Sequence, residues 1–451
     1  MKKLSLLLLV LFVNSFLYAG EALTVVKGSI TKENVRSVIL YSVFEGKKTE
    51  FASTKVRNAE FAFALPVVEE GYYYISDQRR ASFTRIYLKP NDQLELMINS
   101  DGYEVLKGSK ENKMLHKWFT VASVITQPAF NWMDDSSTYK SYFPKMEAFM
   151  PVHAAFKKKM KTSNPQFDAL FSISVDMDIE HAAMKFLLAP NTVHPKREEY
   201  PAFYNTIVQP TKFPSALFLQ SGDAVDIISL YMTFQYIINR PEGKPENRLL
   251  SNCNLIANDT IKGAYVANSL NYKTYEALEK DIAAVKQYLV TDSMQVAYFH
   301  ALKSVAGFKK GSVAYNFTVE DMNGKKVSMQ DLKGKVILID MWATWCGPCK
   351  VEIPYLKTLE KEFEGKNIEF VSISVDVEKD KEKWKNMVLK EELGGTQLFA
   401  SGWSAITKYY DITGIPRFML FDTEGKIVTV DAPRPSNPEL KVLLQNTLEG
   451  K

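Results

Sequence analysis

The chain has 451 residues, 46% of them hydrophobic and 24% charged, with a formal net charge of +4. That length suggests two or three domains at about 100–200 residues each, and the composition is that of a globular protein able to bury a full core. So even a charge balance gives no footing for nucleic acid, and three cysteines are too few for a secreted scaffold stapled by disulfides.

The chain opens MKKLSLLLLVLFVNSFLYAG. Lys2 and Lys3 precede an apolar run from Leu4 to Val13, and small residues follow at Ala19, Gly20 and Ala22. This is the pattern of a secretory signal over residues 1–19, cleaved after Ala19. It is too short and wrongly flanked for a membrane span. No cysteine follows the run, so no lipid anchor is expected. The predicted location is the periplasm or cell envelope, soluble after cleavage.

Residues 22–110 carry short aromatic and β-branched runs: SVILYSVFEG, EFAFAL, YYYI, TRIYL and QLELMI. Turn signals at Glu70-Gly71 and Pro90-Asn91-Asp92 separate them, which predicts a small all-β sandwich or barrel. Residues 111–305 change texture. NKMLHKWFTVASVI, YFPKMEAFMPVHAAFKKKMK, AVDIISLYMTFQYIIN and TYEALEKDIAAVKQYL place apolar residues at helical intervals. Prolines at 190, 195, 201, 210 and 214 break the middle into short pieces. Cys253 lies in this region and reads as a small buried hydrophobe, with a regulatory thiol as the alternative.

Gly307 to Gly311 reads as a linker to a third domain, residues 306–451. Strands and helices alternate there: YNFTVED with an Asn323-Gly324 turn, KVILIDMW, a helix, IEFVSISVD, a second helix, RFMLFD, KIVTV and a C-terminal helix. The pattern predicts a mixed α/β sheet layered by helices. Overall the chain is expected to be multidomain: all-β, then α-helical, then α/β.

KVILIDMWATWCGPCK holds the other two cysteines, Cys346 and Cys349. The apolar strand turns at Cys346 into a helix, whose N-terminus presents unpaired N–H groups and a partial positive charge. A thiolate is stabilised there, so its pKa falls. Two intervening residues bring Cys349 back beside Cys346, and Pro348 suits the first helical turn. Zinc would need further ligands, yet the third domain has no histidine and no second cysteine pair. Covalent haem would need His at position 350, which is Lys. A structural disulfide across so short a loop would constrain little. The pair reads as redox-active, with no metal and no cofactor.

DMWATWCGPCK resembles the active-site signature of thioredoxin, and residues 308–451 are similar to the TlpA/ResA-like exported thiol–disulfide oxidoreductases. YDITGIPRFMLFDTEGKIV continues the likeness. The resemblance implies a thioredoxin-like fold and a redox disulfide Cys346–Cys349, with Cys346 attacking and Cys349 resolving. It implies that Trp345, Gly347, Pro348, Ile415 and Pro416 meet the substrate, with the Ile415–Pro416 bond cis. Asp340 matches the buried thioredoxin carboxylate that takes a proton from the resolving thiol; read on its own, it is an ordinary strand-end Asp. Glu352 matches an acid thought to tune the cysteines; read on its own, it is a solvated helix-surface Glu. Pro354 would kink the helix. The front stretches TKVRNAEFAFAL, IYLKPNDQLELMI and VLKGSKEN are similar to a β-rich domain of unknown function that precedes such domains.

The expected function is protein-disulfide oxidoreductase, acting most readily as a reductant. The expected partners are client proteins with disulfides and a membrane thiol electron donor, with no nucleic acid and no metal. Two alternatives stand beside it. A thiol peroxidase of the peroxiredoxin type would carry Thr three residues before the reactive cysteine, whereas Thr344 is two before it. A client-binding scaffold would use the redox site only as an accessory.

Overall fold

The computed structural model describes residues 23–77, 83–130, 138–189, 193–239, 243 and 245–450. The predicted signal segment lies outside the described residues. The chain divides into two units, one of Met1–Gly243 with Leu255–Tyr265, the other of Lys244–Asn254 with Val266–Lys451.

The first unit begins with β1 (Thr24–Ile30), β2 (Ser37–Phe44), β3 (Lys47–Lys55), β4 (Glu60–Leu65), β5 (Gly71–Ser76), β6 (Phe83–Leu88), β7 (Gln93–Asn99) and β8 (Gly102–Lys107). They form two four-stranded sheets, ordered β4-β1-β7-β8 and β3-β2-β5-β6. Val26, Leu40, Phe63, Ile86 and Leu96 belong to the core they share, so the predicted all-β domain is a sandwich. The five predicted runs all appear as strands. β1, β3 and β8 were not among them; β3 escaped because its side chains are mostly polar and exposed, as suits a sheet edge.

Helices α1 (Lys110–Phe130), α2 (Tyr139–Lys159), α3 (Pro165–Leu187), α4 (Ala202–Ile207) and α5 (Ala224–Asn239) follow in the same unit. Buried polar contacts join them to the sandwich. Asn112 of α1 bonds both the N–H and the carbonyl of Tyr87, at 2.9 and 2.7 Å. Arg85 of β6 forks onto Asp178 of α3 at 2.8 and 3.0 Å, and the Trp118 indole donates to the same carboxylate. Tyr73 and Ile75 of β5 therefore face the sandwich core while Tyr87 of β6 packs edge-on against Phe167 of α3. A sheet covered on both faces reads as the unbroken apolar run YYYI rather than an alternating one.

Among the remaining helices, α6 (Arg248–Cys253) holds Cys253 fully buried. α7 (Asp259–Asn268) follows. The run 274–289 is not one helix: α8 (Tyr275–Ile282) stops and a 3-10 turn follows over Lys286–Tyr288, before α9 (Asp292–Ala306). No helix among the described residues is long and apolar enough to cross a membrane.

In the second unit the α/β region contains β9 (Thr318–Asp321), β10 (Lys326–Ser328), β11 (Val336–Trp342), α10 (Gly347–Glu362), β12 (Ile368–Ser374), α11 (Lys381–Lys390), β13 (Thr396–Phe399), α12 (Ala405–Tyr409), β14 (Arg417–Phe421), β15 (Ile427–Ala432) and α13 (Pro438–Leu448). Its seven-stranded sheet runs β10-β9-β13-β12-β11-β14-β15, a thioredoxin-like arrangement with β11 at the inside. β11 is parallel to β12 and antiparallel to β14. Every residue of β11 is buried, as its apolar sequence requires. The stretch read as a linker is tied down, since Gly311 N–H donates to Ile427 O and Ile427 N–H to Ser312 O, both at 2.8 Å.

β13 was not predicted, because TQLF is short and follows two glycines. Gly395 makes it possible. It sits at φ +64°, and a Cβ there would lie 2.4 Å from the Phe370 carbonyl oxygen of β12. Gly395→Ala is therefore expected to destabilise the protein by about 1–3 kcal/mol. A urea midpoint that stays at the wild-type value would contradict this.

Candidate active site

Strand β11 delivers the chain to the site and α10 begins there. Cys346 is the N-cap of α10, Gly347 its first residue, and Pro348 lies in the first turn. The Cys346 sulfur accepts from the Cys349 backbone N–H at 3.1 Å, so a sulfur occupies the place that Ser or Asp takes in an ordinary cap. Cys346 and Cys349 are joined by a disulfide, with Cα atoms 5.3 Å apart. Both are buried, whereas Trp345, Gly347 and Pro348 beside them are exposed. On reduction, a thiolate at Cys346 lies against the free N–H groups and positive end of α10. Among the described residues no three His, Cys, Asp or Glu converge as a metal site.

Two neighbours fix the approach to the cysteines. Asp376, fully buried just past β12, accepts from the Thr344 N–H at 2.9 Å and from the Thr344 hydroxyl at 2.8 Å. The Ser374 hydroxyl gives it a third bond at 2.8 Å. On the other side, the Ile415–Pro416 bond is cis. β14 pairs Arg417 with Met341, so Pro416 stands just beyond the ladder, alongside the turn that leads to Cys346. Arg417 is buried and holds that end of β14 through Asp431 at 2.7 Å.

Acids crowd behind the cysteines. Glu352 is not the solvated surface residue its helical position allowed. It is buried, and its carboxylate accepts from Ser436 N–H at 2.9 Å and from the Ser436 hydroxyl at 3.0 Å. α10 carries through Pro354 as one helix. Asp340 is buried on β11, and its Oδ1 has no hydrogen-bond partner among the described residues. Burial above all, then the charges of Glu352 and Glu360, pushes the Asp340 carboxyl up to about 8. Such a group holds a proton at neutral pH and exchanges it within the range where thiols titrate.

A family model named Redoxin matches residues 309–444, and a domain of unknown function, DUF4369, matches residues 24–115. The thiol–disulfide oxidoreductase ResA of Bacillus subtilis is 34% identical over 27% of this chain and 66% of its own length. ResA of Bacillus cereus is 32% identical over 30% of this chain and 76% of its own length. The chain belongs to the ResA thiol–disulfide oxidoreductases. It spans about two thirds to three quarters of the length of these ResA relatives. A solved thioredoxin domain of a thiol-disulfide oxidoreductase from Bacteroides vulgatus is 30% identical, covering 31% of this chain and 97% of its own, with a TM-score of 0.28.

Within this ResA-family site, the structure brings Asp340, Glu352 and the cysteine pair to the β11–α10 junction, with Pro416 at the adjoining strand end. Sequence reasoning missed Asp376, Ser436 and Glu360. Asp376 had one available signal: it ends the run IEFVSISVD, and sites in parallel sheets gather at the C-terminal ends of strands. Ser436 and Glu360 had none, because only tertiary packing places them beside Glu352 and Asp340.

The raised Asp340 carboxyl predicts a pH-dependent cost. Below about pH 4 it is protonated in both folded and unfolded chains and adds no pH dependence. Between about pH 4 and 8 the unfolded chain releases the proton while the folded chain keeps it, so stability falls as pH rises. Asp340→Asn in the oxidised protein should therefore stabilise by on the order of 2–5 kcal/mol at pH 8 and change little at pH 4. Urea titrations at the two pH values check this; an equal effect at both would refute it.

Proposed function

We propose that this chain is an exported reductant of protein disulfides. The observation that carries the reading is a cysteine disulfide at a helix N-terminus with a buried acid, Asp340, on the strand that leads into it, whose Oδ1 has no hydrogen-bond partner among the described residues. In the reduced protein the Cys346 thiolate attacks one sulfur of a client disulfide, and the client's other sulfur leaves as a thiolate. The ionised fraction of Asp340 takes the proton from the Cys349 thiol. The Cys349 sulfur then attacks Cys346 Sγ, the bond from Cys346 to the client breaks, and the client leaves fully reduced. Two electrons pass from the cysteine pair to the client, so no further cofactor enters the reaction.

Trp345, Gly347 and Pro348 form the exposed rim on which a client segment rests, and the backbone at Ile415 pairs with that segment as an added strand. Glu352, held by Ser436, sets the field around the cysteines. The signal over residues 1–19 delivers the chain to the cell envelope, where a membrane thiol donor resupplies the electrons because the compartment is oxidising. The peroxidase reading loses support because Thr344 directs its hydroxyl to Asp376 rather than toward a peroxide.

Trapping tests the reading. Cys349→Ser in the full chain, reduced and mixed with disulfide-bearing envelope proteins, should accumulate adducts through Cys346 that dithiothreitol releases. Cys346→Ser should form none. If Cys349→Ser yields no adduct and the wild-type chain leaves a test disulfide oxidised, the reading fails. A scaffold role would instead leave function intact in Cys346→Ser.

A further inference from the structure

Behind Asp340, on the side of the sheet covered by the later turns of α10, lies a cavity of about 10 Å³. That is room for roughly one water. Asp340 and Trp342 of β11, Ser372 of β12, Gln397 of β13 and Glu360 of α10 line it. Three of these carry a buried polar atom with no hydrogen-bond partner among the described residues: Asp340 Oδ1, Trp342 Nε1 and Gln397 Oε1. Buried polar atoms are seldom left orphaned, and three at one cavity call for a shared partner. The set is one donor and two acceptors. A single water satisfies it by accepting from the indole and donating to Gln397 Oε1; it donates to Asp340 when that group is ionised and accepts from it when it is protonated, which leaves its second hydrogen for Glu360.

Glu360 is the other acid at this cavity and is only partly buried. Its carboxylate rests in a notch made by Gly394, where a Cβ would come within 2.5 Å of Oε2. Burial raises its pKa, while Lys357 on the same helix opposes the rise. The charged groups that face Asp340 are Glu352, Glu360 and Lys357 of α10; β12 and β13 contribute only the neutral Ser372 and Gln397. Lys357 also donates to the Glu391 carbonyl, and its charge lowers the Glu360 pKa without reversing the rise that burial causes.

We propose that Glu360 is the outlet for the proton that Asp340 takes up, with one water in this cavity carrying it between the two carboxylates. This rests on the reading of Asp340 as the acceptor of the Cys349 proton. Near neutral pH Asp340 is mostly a neutral acid, so its proton must leave before it can accept the Cys349 proton for resolution. It gives its proton to the water, the water gives one of its own to the Glu360 carboxylate, and Glu360 releases it to solvent. Asp340 is then the anion that takes the Cys349 proton during resolution, and no electrons move. Glu360 touches neither cysteine and is a positioning residue that acts through Asp340.

Oxidised glutathione provides a two-step readout with the reduced full-length chain. The first glutathione is released on attack by Cys346 and the second on resolution by Cys349. Glu360→Gln should leave the first release unchanged and slow the second about tenfold near pH 7, less than the roughly 10²–10⁴-fold of a direct acid–base group because Glu360 acts through Asp340. Gly394→Ala, which displaces the Glu360 carboxylate while keeping its charge, should slow the second release in the same direction. In an Asp340→Asn background, Glu360→Gln should add nothing. An unchanged first release reports an intact Cys346 site in every variant. A wild-type second release in Glu360→Gln, or an equal slowing on top of Asp340→Asn, overturns the relay. If Asp340→Asn slows the second release while Glu360→Gln does not, only the relay falls. If Asp340→Asn itself leaves it unchanged, the role of Asp340 fails and the relay with it.

Discussion

The clamp between Thr344 and Asp376 is the contact from which the active site takes its geometry. Two bonds from Thr344 and one from Ser374 satisfy a fully buried carboxylate, which would otherwise be costly to hold away from water. They also fix where β11 ends. Because Thr344 is pinned, Cys346 falls at the helix cap, its sulfur meets the Cys349 N–H, and the disulfide forms across the first turn. The cis bond at Pro416 is placed from the same strand, through the pairing of Met341 with Arg417.

The acids behind the cysteines follow a different rule. Glu352 is buried with two donors from Ser436, so its charge is compensated locally. Asp340 is buried between two acids with an oxygen left unpaired. A structure selected for stability alone would have placed an amide or an apolar residue there. Asp340 and Trp342 break local rules of polar satisfaction on the strand that leads to the cysteines, where a functional group is expected to bear strain, and Trp384, Gln397 and Ser404 do so elsewhere in the unit.

Much of this architecture was legible in the chain. The unbroken apolar run of β11, the Cys-Gly-Pro-Cys turn and the strand–helix alternation each follow from one local pattern. The aromatic runs of the sandwich were legible for the same reason. β3 was not, because an edge strand needs no apolar face. β13 was not, because four residues after Gly394-Gly395 carry too little periodicity to register. α3 was hard to see because it buries residues such as Phe167, Leu170, Val175 and Ile179 on several sides, which blurs any single stripe.

By itself the sequence determined the cysteine pair, its place at a helix N-terminus and the acid six residues upstream. These depend on neighbours within one strand and one turn, where spacing dictates geometry. Only the tertiary structure decided that Asp376 holds the loop, that Ser436 buries Glu352, and that Glu360 meets Asp340 across a cavity the size of a water. Those partners are 20 to 84 residues apart in the chain. No local pattern encodes them, because they meet only when β12, α10 and the turn before α13 pack onto β11.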